Sequence, residues 1–117
     1  MNYEDMNINQ INANVTREVF GCHGWEFSEN GGDCSFYHCG VDGNGYYEQA
    51  VLDYCNNPSD AWTIIVENKI NIEWRDSLKL HPLAKGTGGN ACHWSDKNPL
   101  RAAMICFLKM KDAENGR

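Results

Sequence analysis

Between Asp5 and Phe20 the apolar residues Ile8, Ile11, Val15 and Val19 recur at intervals of three and four, with Asn, Gln, Arg and Glu filling the gaps. That is the period of an amphipathic helix, and Gly21 and Gly24 behind it predict its end. Trp25 to Ser28 and Cys34 to His38 are short aromatic-rich runs separated by Glu29-Asn30-Gly31-Gly32-Asp33. Two such runs around a glycine-rich turn predict a β-hairpin. A second glycine cluster, Gly40 to Gly45, leads into Tyr46 to Tyr54, where Tyr47, Val51 and Tyr54 have a spacing that suits strand and helix alike.

Further on, Asn57-Pro58-Ser59-Asp60 is a helix start. Asn57 can cap the first turn, Pro58 has no N–H to lose there, and Asp60 favours the positive helix end. Ala61, Trp62, Ile65 and Val66 predict its buried stripe. Ile70, Ile72 and Trp74 then alternate with Asn71, Glu73 and Arg75, the pattern of a half-buried strand. Leu78 to Asn90, with Pro82, Gly86, Gly88 and Gly89, reads as a loop, and Ala91 to Ser95 as another strand. Asn98-Pro99 repeats the cap-plus-proline device and opens a last helix from Leu100 to about Met110. That helix is apolar on most of its circumference and must be covered on more than one side. The sheet with the first helix, or the sheet with a second subunit in a homodimer, would each cover it. The expectation is one α+β domain over residues 1–117, a small, mostly antiparallel sheet with three helices, the C-terminal helix the most buried.

Length agrees, because 117 residues suffice for one core and not for two. The longest apolar run, Ala102 to Leu108, is far short of a membrane span, so no membrane association is expected. Met1 to Asp5 shows no basic segment with an apolar run behind it, which predicts no secretory leader and a reducing cytoplasm where the six cysteines stay unpaired. Charge is divided unevenly. Residues 1–67 hold eleven acids and one base, Arg17, whereas residues 68–117 hold five acids and nine bases. A net charge of −6 argues against direct nucleic-acid binding, whose affinity comes from Lys and Arg displacing counterions. The two halves either neutralise each other on folding or leave an acidic face for a basic partner protein.

Cysteine and histidine cluster suggestively. Zinc needs four nitrogen or sulfur ligands in a tetrahedron, and Cys22, Cys34, Cys39 and His93 supply one such set, although without the closely spaced pairs of structural sites. The other reading is small buried thiols, to which Cys106 in the last helix belongs. A Cys–His nucleophile depends on a spatial pairing that the spacing does not specify. Asp42-Gly43-Asn44-Gly45 fails as a calcium loop, since aligning Gly45 with the required glycine puts Gly40 and Val51 where acids are needed. Lys85-Gly86-Thr87-Gly88-Gly89 lacks the residue order of a phosphate-binding loop. Asn14-Val15-Thr16 matches a glycosylation sequon on a predicted helix, with no secretory leader to give it meaning.

Two longer stretches carry a resemblance. Asp53-Tyr54-Cys55-Asn56-Asn57-Pro58-Ser59-Asp60-Ala61-Trp62, running on to Asn68, and Lys97-Asn98-Pro99-Leu100-Arg101-Ala102-Ala103-Met104-Ile105, running on to Leu108, resemble the NinX family of lambda-like phages and prophages. The opening Met1-Asn2-Tyr3, with Ile8-Asn9 and Val15, is similar to that family's start. These motifs span about half the chain, and residues 21–50 and 76–95 carry none of them. The resemblance implies a phage origin and the host cytoplasm, and it brings no established enzymatic activity. Caps and core positions account for nearly every motif residue, with Trp62, Ile65, Met104 and Phe107 expected inside. Arg101 stands out, because an arginine in the first helical turn opposes the local dipole. Asp60 or Glu67 is its expected partner.

Two functional classes follow. One is a non-enzymatic accessory protein that binds a host or phage protein, as a counter-defence inhibitor or a modulator of recombination or replication. Its expected surface comprises Glu26, Glu29, Asp33, Asp42 and Glu48 with Tyr46 and Tyr47, among Trp25, Phe27, Phe36 and Tyr37, a mixture of aromatic anchors and charged rim that suits an interface. The alternative is a small zinc-binding or thiol-dependent protein using the Cys–His cluster.

Overall fold

The computed structural model describes residues 2–30, 34–39, 47–87 and 92–116, and of residues 29, 30 and 34 the backbone. A 3-10 turn at Tyr3–Asp5 precedes helix α1, Ile8–Phe20. The helix starts three residues later than the periodicity suggests because Asn7 caps it. The Asn7 side chain accepts from the Gln10 N–H at 2.8 Å, and the Gln10 side chain accepts from the Asn7 N–H at 2.9 Å, a reciprocal capping box. Gly21 ends α1 in the left-handed region, φ 69°, which glycine enters without steric cost.

The hairpin forms as expected from β1 (Glu26–Asn30) and β2 (Cys34–Cys39), and β3 (Tyr47–Ala50) joins it, resolving the ambiguous segment as strand. Helix α2, Pro58–Glu67, starts on Asn57, whose side chain accepts from the Ser59 N–H at 3.0 Å. A second antiparallel sheet contains β4 (Asn71–Glu73), β5 (Leu83–Lys85) and β6 (His93–Ser95). Helix α3, Pro99–Glu114, closes the described chain and runs one turn beyond the expected end.

Three helices and antiparallel strands give the expected α+β class, with the strands divided between two sheets. The division follows from what each sheet covers. Helix α3 is buried at every position from Ala102 to Leu108 and is clad by α1, α2 and the β4–β5–β6 sheet. The chain's own elements therefore provide the cover that was left open between one subunit and two. Ile72, Ala84 and Trp94 lie abreast across that sheet and join the same core. The β1–β2–β3 sheet packs instead on α1, through a smaller cluster of Ala13, Cys22 and Tyr37 with Trp25 and Val51. The molecule is accordingly elongated. Its extents are 57 × 31 × 25 Å and its radius of gyration 15.3 Å, against about 13 Å for a compact domain of this length.

The two familiar motifs meet in one hydrogen-bonded joint. Buried Asn12 on α1 donates to the Asp53 carboxylate at 2.9 Å and accepts from the Cys55 N–H at 3.0 Å. Asn98 donates to the Cys55 carbonyl at 2.8 Å, while its side-chain oxygen caps α3 by accepting from the Leu100 and Arg101 N–H groups. Each cap thus also ties one element to another, leaving few buried polar groups unmet.

Three expectations need correction. Trp62 and Val66 lie outside, Trp62 64% exposed, and Ala61, Ile64 and Ile65 form the buried stripe. Helix α2 rests on α3 along one side only, so the stripe is narrow and turns toward Ile64. Arg101 pairs with Asp96, not with Asp60 or Glu67. Leu83–Lys85 is a strand within the expected loop, because β4 and β6 offer it partners on both edges.

Candidate interaction surface

The ladder of the first sheet sets its two faces. Glu26 is opposite His38 and His38 opposite Glu48, while Ser28 is opposite Phe36 and Phe36 opposite Ala50. Cross-strand partners share a face and neighbours along a strand alternate. Glu26, Ser28, Phe36, His38, Glu48 and Ala50 therefore make one face. Phe27, Tyr37 and Gln49 make the other, which turns toward α1. There the Tyr37 hydroxyl donates to the Ala13 carbonyl at 2.8 Å, and the Phe27 and Tyr37 rings meet at 5.2 Å between centroids.

On the outer face His38 is the centre. Its Nε2 lies 3.0 Å from the Ser28 Oγ and 3.8 Å from the Glu26 carboxylate, and its ring packs on Phe36 at 5.5 Å. The His38 side chain is 13% exposed, whereas that of Glu26 is 78% exposed. Ser, His and Glu side by side invite comparison with a hydrolytic triad. Such a triad needs serine on one ring nitrogen and carboxylate on the other, and here both approach the same nitrogen. The arrangement is a largely buried histidine between two exposed acids on one sheet face.

Of the residues expected to bind a partner, Glu26 and Glu48 share this outer face and are exposed. Tyr47, opposite Cys39, sits on the other face yet is 63% exposed. Glu29 is in β1 opposite Ser35. Asp33, Asp42 and Tyr46 lie outside the described residues. Phe27 is exposed, Trp25 and Phe36 are half-buried, and Tyr37 is core. Ser28 and the central role of His38 were missed, since only the strand register brings them between the acids.

Of the suggested zinc ligands, Cys22 and Cys39 are neighbours, but Cys34 cannot share one ion with Cys39. Cys34 and Cys39 are five residues apart on β2, about 17 Å along an extended chain, whereas two thiolates on one zinc each lie about 2.3 Å from it. His93 belongs to the other sheet. Among the described residues no three His, Cys, Asp or Glu side chains gather as a metal would need. The buried thiols are also poor nucleophiles. Burial raises the Cys55 pKa to about 12 and that of Cys106 to about 11, and burial, then the neighbouring Cys39, raises that of Cys22. Thiol reactivity requires the thiolate, which these environments disfavour.

Two clefts of opposite character flank α1. One, about 580 Å³, is bordered by the acids Glu18, Asp60 and Glu67 together with Phe20, Phe107 and Lys111. The other, about 490 Å³, lies between α1 and the inner face of β1–β2 and holds Arg17. No helix among the described residues is long and apolar enough to cross a membrane.

The fold recurs in a phage protein of known structure. A crystal structure of a phage protein from Bacillus cereus ATCC 14579 superimposes with a TM-score of 0.64 over 92% of this chain and 89% of that one, at 18% identity. An identity so low shows a shared fold alone. Sequence carries the assignment further. Residues 2–111 match the family model of bacteriophage P22 NinX, and the chain belongs to that family. The match includes residues 21–50 and 76–95, which carry neither motif. No curated protein matches the chain.

Proposed function

We infer that the protein is a non-enzymatic accessory protein that works in the host cytoplasm by binding a basic surface of a host or phage protein, with the outer face of the β1–β2–β3 sheet as its contact. The observation that carries this reading is the row Glu26–His38–Glu48, its two acids exposed on either side of the histidine and beside Phe36, on a sheet that projects from the α3-centred body. An antiparallel sheet often keeps one face in water. Here the wet face concentrates acid on both sides of an aromatic patch, and paired charges of this kind set encounter rate and orientation. Membership of a phage family is consistent with a target such as a defence nuclease or a recombination or replication factor, whose DNA-binding cleft would supply the basic surface.

Capture from phage-infected host cells tests the reading. Wild-type protein should retain a partner, and the Glu26→Lys/Glu48→Lys double variant should bind it at least roughly tenfold more weakly, because two attractions become repulsions. Both positions are exposed strand sites, so the melting temperature should move little. Equal affinity for both proteins would exclude this face as the contact.

A further inference from the structure

The structure assigns the cleft between α1 and the inner face of β1–β2 as a binding site for a small ring-bearing oxyanion, a carboxylate or phosphate on a planar body, gripped by Arg17. Arg17 is the sole base among residues 1–67, in company with eleven acids. Attraction alone would pair it with one of them. It forms no ion pair among the described residues, and its Nη2 donates to the Asn14 side chain at 2.8 Å. Its Nε is buried with no hydrogen-bond partner.

A guanidinium offers five N–H donors in a planar fork and stays charged. Arg17 is half-buried, and its Nε, withdrawn from water with no partner, is the sort of buried polar group that calls for an explanation. The lining says what partner fits. Around Arg17 stand Trp25, Phe27 and Tyr37, with Asn9, Gln10 and other residues of α1, and among the described residues the lining includes no carboxylate. The acid-rich cleft on the other side of α1 has the opposite preference. Aromatic walls accept a flat ring, side-chain amides can donate to oxygens, and the fork matches an oxyanion bidentately. A volume of about 490 Å³ falls in the range of small-ligand sites.

This site is independent of the outer sheet face, and it can be tested without knowing the natural ligand. Phenyl phosphate and indole-3-acetate probe the phosphate and carboxylate forms, and uncharged indole is the control. Each is titrated into the full chain while the Arg17 side-chain Nε–H resonance is followed. Saturable movement of that resonance is expected with at least one anion, with binding at least tenfold tighter than indole. The anion that binds better identifies which chemistry the site takes. Arg17→Met should abolish this preference, and Arg17→Lys, which keeps the charge and loses the fork, should weaken it about tenfold. Should Arg17→Met fail to fold, the lysine variant and the neutral control carry the test. No response to either anion, binding no tighter than indole, or affinity unchanged in the folded variants would overturn the assignment.

Discussion

Arg101→Leu is expected to lower the free energy of unfolding by about 3 kcal/mol, which for a domain of this size lowers the melting temperature by roughly 10 °C. Arg101 sits in the first turn of α3, where the helix dipole disfavours a cation, and three partners hold it there. Its guanidinium donates to the Asp96 carboxylate, to the Met6 carbonyl at 2.8 Å and to the Tyr3 carbonyl at 3.4 Å. Tyr3 in turn is buried, and its hydroxyl donates to Asp112 near the far end of α3. The N-terminal turn is thus strapped along α3 at both ends. Removing the cation leaves the Asp96 carboxylate and two carbonyls short of donors. Breaking a buried pair costs about 3–5 kcal/mol. The lower bound applies because the Arg101 and Asp96 side chains keep 14% and 19% of their exposure. Adding Asp96→Asn to Arg101→Leu should cost less than the two changes measured separately, since the orphaned charge is gone. Urea denaturation of the two single variants and the double variant checks both statements. Additive losses would mean that the pair is not coupled.

Ile105→Ala should cost about 4 kcal/mol, near the upper end for large-to-small changes in a core. Ile105 is fully buried on a helix that other elements enclose from several directions. The surroundings have little freedom to collapse into the space, so the cavity term stays large. Trp62→Ala on α2 provides the contrast. It removes a larger side chain yet should cost less than about 1 kcal/mol, because most of that ring is already in water. Denaturation midpoints of these two variants would reverse order if Trp62, and not Ile64, belonged to the buried stripe.

That contrast marks where the sequence was legible. Asn57-Pro58 and Asn98-Pro99 state helix starts locally, and both helices begin there. The hairpin was legible because a glycine-rich turn separates two runs of strand formers, which pair in register from Glu26 with His38 to Asn30 with Cys34. The unbroken apolar stretch from Ala102 to Leu108 likewise announced the most buried helix. What stayed hidden depends on distant neighbours. Strand β5 is three residues long and exists because β4 and β6 flank it. Which side of α2 meets α3 decides between Trp62 and Ile64, and both satisfy helical spacing. Arg101 was recognised as needing an acid, yet Asp96, placed just before the helix cap, was not distinguishable from Asp60 or Glu67 by sequence distance.

The surface shows the same boundary. Acid enrichment in the first half was plain from composition, and it led to Glu26 and Glu48. Their convergence on His38 required the register of three strands, with Glu48 arriving across the segment from residue 40 to 46. The setting of Arg17 was equally invisible, because the sequence does not say which residues of α1 and of β1–β2 meet across the cleft it lines.

Hydrogen exchange on the isolated complex with its protein partner tests the central claim most directly. Amides of residues 26–30, 34–39 and 47–50 should exchange more slowly in the complex than in the free protein. Those of α3, already enclosed in the free molecule, should be unchanged. Protection confined to α2 or to the β4–β5–β6 sheet, with β1, β2 and β3 exchanging at their free rates, would contradict the assignment of the acidic sheet face as the surface through which this protein acts.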